Sequence, residues 1–206
     1  MTLLDESVAD TNRADSPVVR HALTTARLIL RTPRPEDARA VAALINDRRI
    51  AENTARVPHP YTLADAEAFI ADAQTRTDPT FYVTLHDGTI VGGCGLGRLR
   101  GDVPEIGYWY GVPYWGRGYA SEAARALIDH AFADLGHELL HAGARVSNPA
   151  SRRVLEKCGF EWTGVVLQRS RALGSSVPSD RFKLDRERWA SLEDGGGVAL
   201  KAPIKS

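Results

Sequence analysis

Hydrophobic positions along the chain alternate between a period of two and a period near 3.6, and each change of period marks a predicted element. Residues 26–32 place Leu28 and Leu30 on one face and Arg27, Ile29 and Arg31 on the other, which predicts a strand. Pro35 opens a helix to about residue 47, with Ala38, Val41, Ala42 and Ile45 at helical spacing. Thr62-Leu-Ala-Asp65 has the form of a capping box and starts a second helix to about residue 76. Residues 81–86 and 89–99 flank Asp87-Gly88, a strong hairpin signal. Residues 103–112 form a further strand ending at Pro113, and residues 119–135 a long helix stopped by Gly136. A strand over 139–146 precedes a helix over 149–157, begun by Asn148-Pro149 and stopped by Gly159. Residues 160–171 and 181–188 are expected to be closing strands. The order β-α-α-β-β-β-α-β-α-β-β predicts an α/β fold with a mixed sheet, distinct from an alternating dinucleotide-binding fold.

No such period runs through residues 1–20 or 194–206, which are expected to be mobile tails around one domain, 21–193. At 206 residues the chain is long enough to bury about 70% of its surface. Its 26 Lys+Arg balance 26 Asp+Glu, so no net field draws it to nucleic acid or an anionic membrane. The longest apolar run, residues 40–45, is far short of the ~20 residues of a membrane span. Acidic residues at 5, 6, 10 and 15 stand where a secretory signal would be basic and then apolar. Two distant cysteines, Cys94 and Cys158, fit a reduced, cytoplasmic protein.

Three segments invite a chemical reading. Gly92-Gly-Cys-Gly-Leu-Gly97 lacks both the G-x-G-x-x-G spacing and a following helix, so it reads as a glycine-rich hairpin strand. His137-Glu-Leu-Leu-His141 matches H-E-x-x-H, which would make a zinc hydrolase of His137, Glu138 and His141. That chemistry needs a helix. Gly136 has just ended one, and on a strand the two histidines would stand about 13 Å apart, too far to share a metal. Residues 112–121 combine a strand end, a glycine-containing turn and a helix start. Unpaired first-turn N–H groups beside Arg117 suit a phosphate or pyrophosphate; the same residues also make an ordinary tight turn.

Together with that turn, Thr25-Ala-Arg-Leu-Ile-Leu-Arg31 and Asn148-Pro-Ala-Ser-Arg-Arg-Val-Leu-Glu-Lys-Cys-Gly-Phe160 resemble the GNAT acetyltransferase superfamily, in its ribosomal-protein-alanine-acetyltransferase-like branch. The resemblance covers residues 23–190. It implies a mixed, mostly antiparallel sheet flanked by helices and splayed between its fourth and fifth strands, here 103–112 and 139–146. It implies acetyl-CoA as cosubstrate, with no metal. The pantetheine would lie along the fourth strand by Tyr110 and Val112, and the pyrophosphate on Gly116, Arg117, Gly118, Tyr119, Ala120 and Ser121. The family's Gln/Arg-x-x-Gly-x-Gly/Ala pattern is met at Gly118 and Ala120, but Trp115 takes its first position.

At the reaction centre the resemblance makes Glu105 the general base, although a solvent-facing strand carboxylate is an equal alternative. Asn148 resembles the pantetheine-contacting asparagine and suits a helix N-cap as well. The tyrosine that serves many relatives as acid is replaced by Leu155, leaving Ser151 as the acid that the branch suggests, or a passive surface serine. Cys94 and Cys158 are poor nucleophile candidates. The expected activity is N-acetylation of a primary amine: a protein N-terminus, an amino acid or a small amine. Acceptor-facing loops are expected at 47–61, carrying Arg48, Arg49, Asn53 and His59-Pro60, and at 172–180. A monomer or homodimer is expected, and a non-catalytic acyl-CoA-binding module on the same fold is the rival reading.

Overall fold

Leu28 and Leu30, alternate residues of a short strand, are fully buried, and the sheet grows outward from that alternation. A computed structural model of the chain describes residues 22–98 and 101–194. Its strands are β1 (Leu23–Thr24), β2 (Leu28–Arg31), β3 (Thr80–Leu85), β4 (Ile90–Gly97), β5 (Glu105–Tyr110), β6 (Leu139–Arg145), β7 (Glu161–Ser170) and β8 (Ser175–Asp185). They form one sheet in the order β1-β2-β3-β4-β5-β6-β8-β7, antiparallel throughout except where β5 meets β6.

Helices cover both faces, as period-two strands with two apolar sides require. On one face α1 (Ala38–Ile45) and α3 (Leu63–Ala73) pack Val41, Ile45, Ala66 and Ile70 around Tyr82. On the other, α4 (Tyr119–Asp129) sets Ala123, Ala124 and Leu127 against Leu28, Leu30, Val83 and Val91. Truncating one such side chain, for example Leu127→Ala, costs about 2–5 kcal/mol. Local signals place the helix starts. Thr62 and Asp65 exchange hydrogen bonds as a capping box, and the Asn148 side chain accepts from the Ser151 N–H at the start of α5 (Pro149–Lys157).

Four expectations are corrected. A short helix, α2 (Arg48–Glu52), occupies part of the expected 47–61 loop. Asp47 caps it by accepting from the Arg49 N–H, an Arg48–Glu52 pair spans its one turn, and Ile50 and Ala51 are buried. One turn is too short to show a period. Most of the expected 172–180 connection is the first half of β8, whose Ser179 and Asp180 pair with β6 on one side and β7 on the other. Residues 186–188 begin a helix, α6 (Arg186–Asp194), instead of prolonging the last strand. Its sequence is polar nearly all round and is anchored by Trp189, which stacks on Phe132 and donates to Asp129. Val112 lies in a 3-10 turn, Val112–Tyr114, beyond the end of β5. The expected tails, apart from Asp194 at the end of α6, lie outside the described residues.

Candidate active site

β5 and β6 pair only through Glu105↔His141 and Ile106↔Ala142, and then part. The remainder of β5 keeps its ladder with β4, and the remainder of β6 keeps its ladder with β8. The sheet therefore opens in a V from Gly107 and Gly143 onward, at the fourth and fifth of the expected strands. A cavity of about 560 Å³ lies at this opening, lined by Glu105, Tyr108, Gly143 and Ser151 among others.

Glu105 sits at the apex. It is only 7% exposed, and both of its oxygens accept from Arg181 of β8, at 2.8 Å each. Arg181 stands opposite Gly143 in the β6–β8 register. A Cβ on Gly143 would lie 2.9 Å from Arg181 Nη1 and 3.3 Å from Glu105 Oε1, so the bare glycine is what lets the guanidinium cross β6 to its partner. The solvent-facing alternative drawn from sequence is corrected: this carboxylate is buried and ion-paired. A carboxylate offers about four lone-pair positions, and Arg181 takes two. The others remain for a proton from an amine or a bridging water. His141, across from Glu105, is pulled below its ordinary pKa by burial and by Arg181, against the opposing pull of Glu105, so it is neutral at pH 7.

A second pair faces the opening. Ser151, in the first turn of α5, has its Oγ 2.9 Å from the Tyr108 hydroxyl, which also reaches the Ser151 carbonyl at 3.2 Å. Burial pushes the Tyr108 phenol well above its ordinary range, against the lowering effect of Ser151, so it stays protonated. Leu155 is buried in the main core, one turn further along α5. Tyr108 and Arg181 were missed in the sequence because each is defined by a partner in a distant segment.

The glycine turn lies elsewhere on the same strand edge. Gly116 and Gly118 take φ of 74° and 81°, and Gly118 is the N-cap of α4, leaving the first N–H groups of that helix without intrahelical acceptors. Arg27 braces the turn. It pairs with Glu122 in the first turn of α4, donates to the Arg117 carbonyl at 3.0 Å and lies over the Tyr119 ring. Thr25 donates to the same Glu122 carboxylate at 2.7 Å. The one acidic residue of this helix start is thus neutralised by Arg27, and the N-terminus keeps its positive character. Trp115, the departure from the family pattern, donates through Nε1 to the Tyr110 carbonyl at 2.7 Å. Tyr110 itself is buried, with its hydroxyl 3.5 Å from the Tyr119 carbonyl.

Other sequence candidates fall into place. Asn148 is the N-cap of α5, beside Ser151. Cys94 and Cys158 are buried, and burial pushes their thiols up to about 12 and about 11, which suits neither as a nucleophile. His137 precedes β6 and His141 lies within it, while Glu138 pairs with Arg186, so residues 137–141 do not make the helix turn that H-E-x-x-H chemistry requires. No described helix is long and apolar enough to cross a membrane.

The sheet opens between two strands, with a braced helix N-terminus beyond the end of one of them and Glu105 at the apex. Residues 27–161 match the family described as the acetyltransferase (GNAT) domain, and the chain belongs to that family. The N-acetyltransferase p20 of Bacillus licheniformis, itself uncharacterized, is 30% identical over 103 residues, covering 49% of this chain and 58% of p20. The similarly uncharacterized N-acetyltransferase YnaD of Bacillus subtilis (strain 168) is 29% identical over 145 residues, covering 69% of this chain and 84% of YnaD. The chain thus spans less than two thirds of p20 and most of YnaD. Among solved structures, Mycobacterium smegmatis RimJ in complex with CoA-disulfide shares the fold, with a TM-score of 0.70 at 21% identity, covering 82% of this chain and 89% of RimJ.

Proposed function

We propose that the chain is an acetyl-CoA-dependent N-acetyltransferase that passes the acetyl group directly to a primary amine of a second bound substrate. The observation that carries this reading is the V between β5 and β6, with Glu105 and the Tyr108–Ser151 pair lining its cavity. Acetyl-CoA supplies the acetyl group as an activated thioester. Gly116, Arg117, Gly118, Tyr119, Ala120 and Ser121 hold its pyrophosphate through amides, helix dipole and the Arg117 charge. The glycine turn fits such a ligand: at Gly118 the backbone is in the left-handed region and any Cβ would press on Arg27. The backbone at Tyr110 and Val112, with the Asn148 side chain, lies along the pantetheine. These assignments extend the family membership to named residues of this chain.

An amine attacks only when neutral, so its proton must leave. Glu105 takes it, directly or through one water, with the lone pairs that Arg181 leaves free. The departing thiolate receives a proton from Ser151, and Tyr108 supports that hydroxyl through their 2.9 Å hydrogen bond. The work is done in the reduced cytoplasm by the single domain 21–193. The acceptor is a protein N-terminus, an amino acid or a small amine, in keeping with the ribosomal-protein-alanine-acetyltransferase-like branch. The test is release of CoA thiol from acetyl-CoA across an amine panel that includes peptides beginning with Ala and Ser. Acetylated product with stoichiometric thiol supports the reading. CoA binding without turnover on any amine would instead make the chain an acyl-CoA-binding module.

A further inference from the structure

On the side away from the glycine turn, the cavity opens between the 53–57 segment, α3 and the tip of the β7–β8 hairpin. A second cavity of about 530 Å³ continues it, and all of its lining residues except Gly174 also line the first. The Arg171 N–H donates to the Ala55 carbonyl at 2.9 Å and ties the hairpin tip to that segment.

Arginines outnumber carboxylates at this mouth. Its acidic side chains are already engaged: Glu105 by Arg181, Asp72 by Arg76, and Asp65 by the Thr62 N–H and hydroxyl. Arg56, Arg145, Arg169 and Arg171 also line the cavity, and none of them forms an ion pair among the described residues. Burial and the neighbouring Arg76 charge pull Arg56 below an arginine's ordinary pKa, against weaker support from Glu105 and Asp72. Among the described residues, three buried polar atoms of cavity-lining residues have no partner: the Tyr82 hydroxyl, Arg145 Nε and Ser170 Oγ. Guanidinium groups gathered without ion pairs leave donors that a bound oxyanion would satisfy. Residues 116–121 line neither cavity, so this cluster is separate from the proposed pyrophosphate site.

Resting on the acetyltransferase reading above, we infer that the acceptor is an amine that also carries an oxyanion, a carboxylate or a phosphate. That group is held by Arg56, Arg145, Arg169 and Arg171, and the amine points inward to Glu105. Guanidinium forks match either oxyanion in bidentate geometry. The same arginines repel a polycationic amine.

The test compares kcat/KM within matched acceptor pairs. Ala-Asp-Asp-amide against Ala-Asn-Asn-amide reports a carboxylate, phosphoethanolamine against ethanolamine reports a phosphate, and a diamine reports cation tolerance. In at least one pair the anionic member is expected to be preferred about tenfold or more, as one hydrogen bond to a charged oxygen allows. The preference should fall to about threefold or less in Arg169→Gln and Arg171→Gln, two exposed positions whose thermal melts should match the wild type. Arg39→Ala, an exposed change on α1 outside both cavities, controls for net charge and should keep the preference. Neutral or cationic amines used as well as anionic ones, or a preference that survives both arginine variants, would overturn the inference and leave the transferase reading standing. Absence of acetylation for every amine, with CoA bound, would overturn both.

Discussion

Gly118→Val probes the proposed pyrophosphate site most directly. Gly118 holds φ at 81°, a conformation that costs a branched residue roughly 1–3 kcal/mol of backbone strain. Even a Cβ there would stand 3.3 Å from Arg27 Nη2, and the two γ-methyls of valine reach further. Arg27 would be displaced from the Arg117 carbonyl and from Glu122, which frees the turn and leaves a carboxylate beside the helix N-terminus. Two effects then weaken CoA binding: amides shift from the phosphate, and Glu122 loses its neutralising partner. Each hydrogen bond to a charged oxygen is worth about 1.5–3 kcal/mol, so losing one or two weakens CoA by at least ~10-fold and beyond ~10³-fold at the upper end. Gly116, Arg117 and Gly118 are exposed, so the protein should stay folded. Calorimetric titration with CoA, paired with thermal melts, measures both quantities. Gly118→Ala adds the strain without the γ-methyls and should fall between. A folded Gly118→Val protein that binds CoA as tightly as the wild type would show that this turn is only a turn.

Glu105→Gln should lower turnover by about 10²–10⁴-fold with little change in CoA affinity, and an unchanged rate and pH profile would remove Glu105 from the chemistry. Because it leaves Arg181 buried beside a neutral amide, its melting temperature should also fall. Gly143→Ala keeps both charges but places a Cβ 2.9 Å from Arg181 Nη1; turnover should drop through a displaced ion pair, and full activity would show that the Arg181 contact is dispensable. Ser151→Ala should slow thiol release in single-turnover measurements more than it weakens CoA binding, with Tyr108→Phe giving a smaller effect of the same kind; full rates in both would assign the proton to solvent. Burial alone would raise the Asp37 pKa, but two hydrogen bonds from Arg31 and one from the Arg34 N–H hold it below the ordinary value. That stabilisation is present at neutral pH and fades as pH drops below about 4 through the folded pKa. Asp37→Asn should therefore cost roughly 3 kcal/mol at pH 7, a gap that narrows in melts taken toward pH 3.

The chain itself specified those features that a few consecutive residues decide. Leu28 and Leu30 alternate into the core, Thr62 and Asp65 cap α3, and Asn148-Pro149 opens α5, because strand faces and helix starts depend on neighbours within one turn or two. The same locality made the 112–121 turn legible, since positive φ at Gly116 and Gly118 followed by an amphipathic helix is written in ten residues. Two helices escaped for lack of local signal, as did the two-residue strand β1: α2 is one turn long, and α6 is polar nearly all round, held by the Trp189–Phe132 stack. The chemistry of the opening was decided by register. Glu105 meets Arg181, 76 residues away, because β6 and β8 align Arg181 with Gly143 and that position has no side chain. Ser151 gains Tyr108, 43 residues away, only because β5 leaves β6 after two residue pairs and exposes its edge to α5. Arg56, Arg145 and Arg169 look like ordinary surface charges in sequence. Their convergence, without ion pairs among the described residues, exists only once three separate segments close around one cavity.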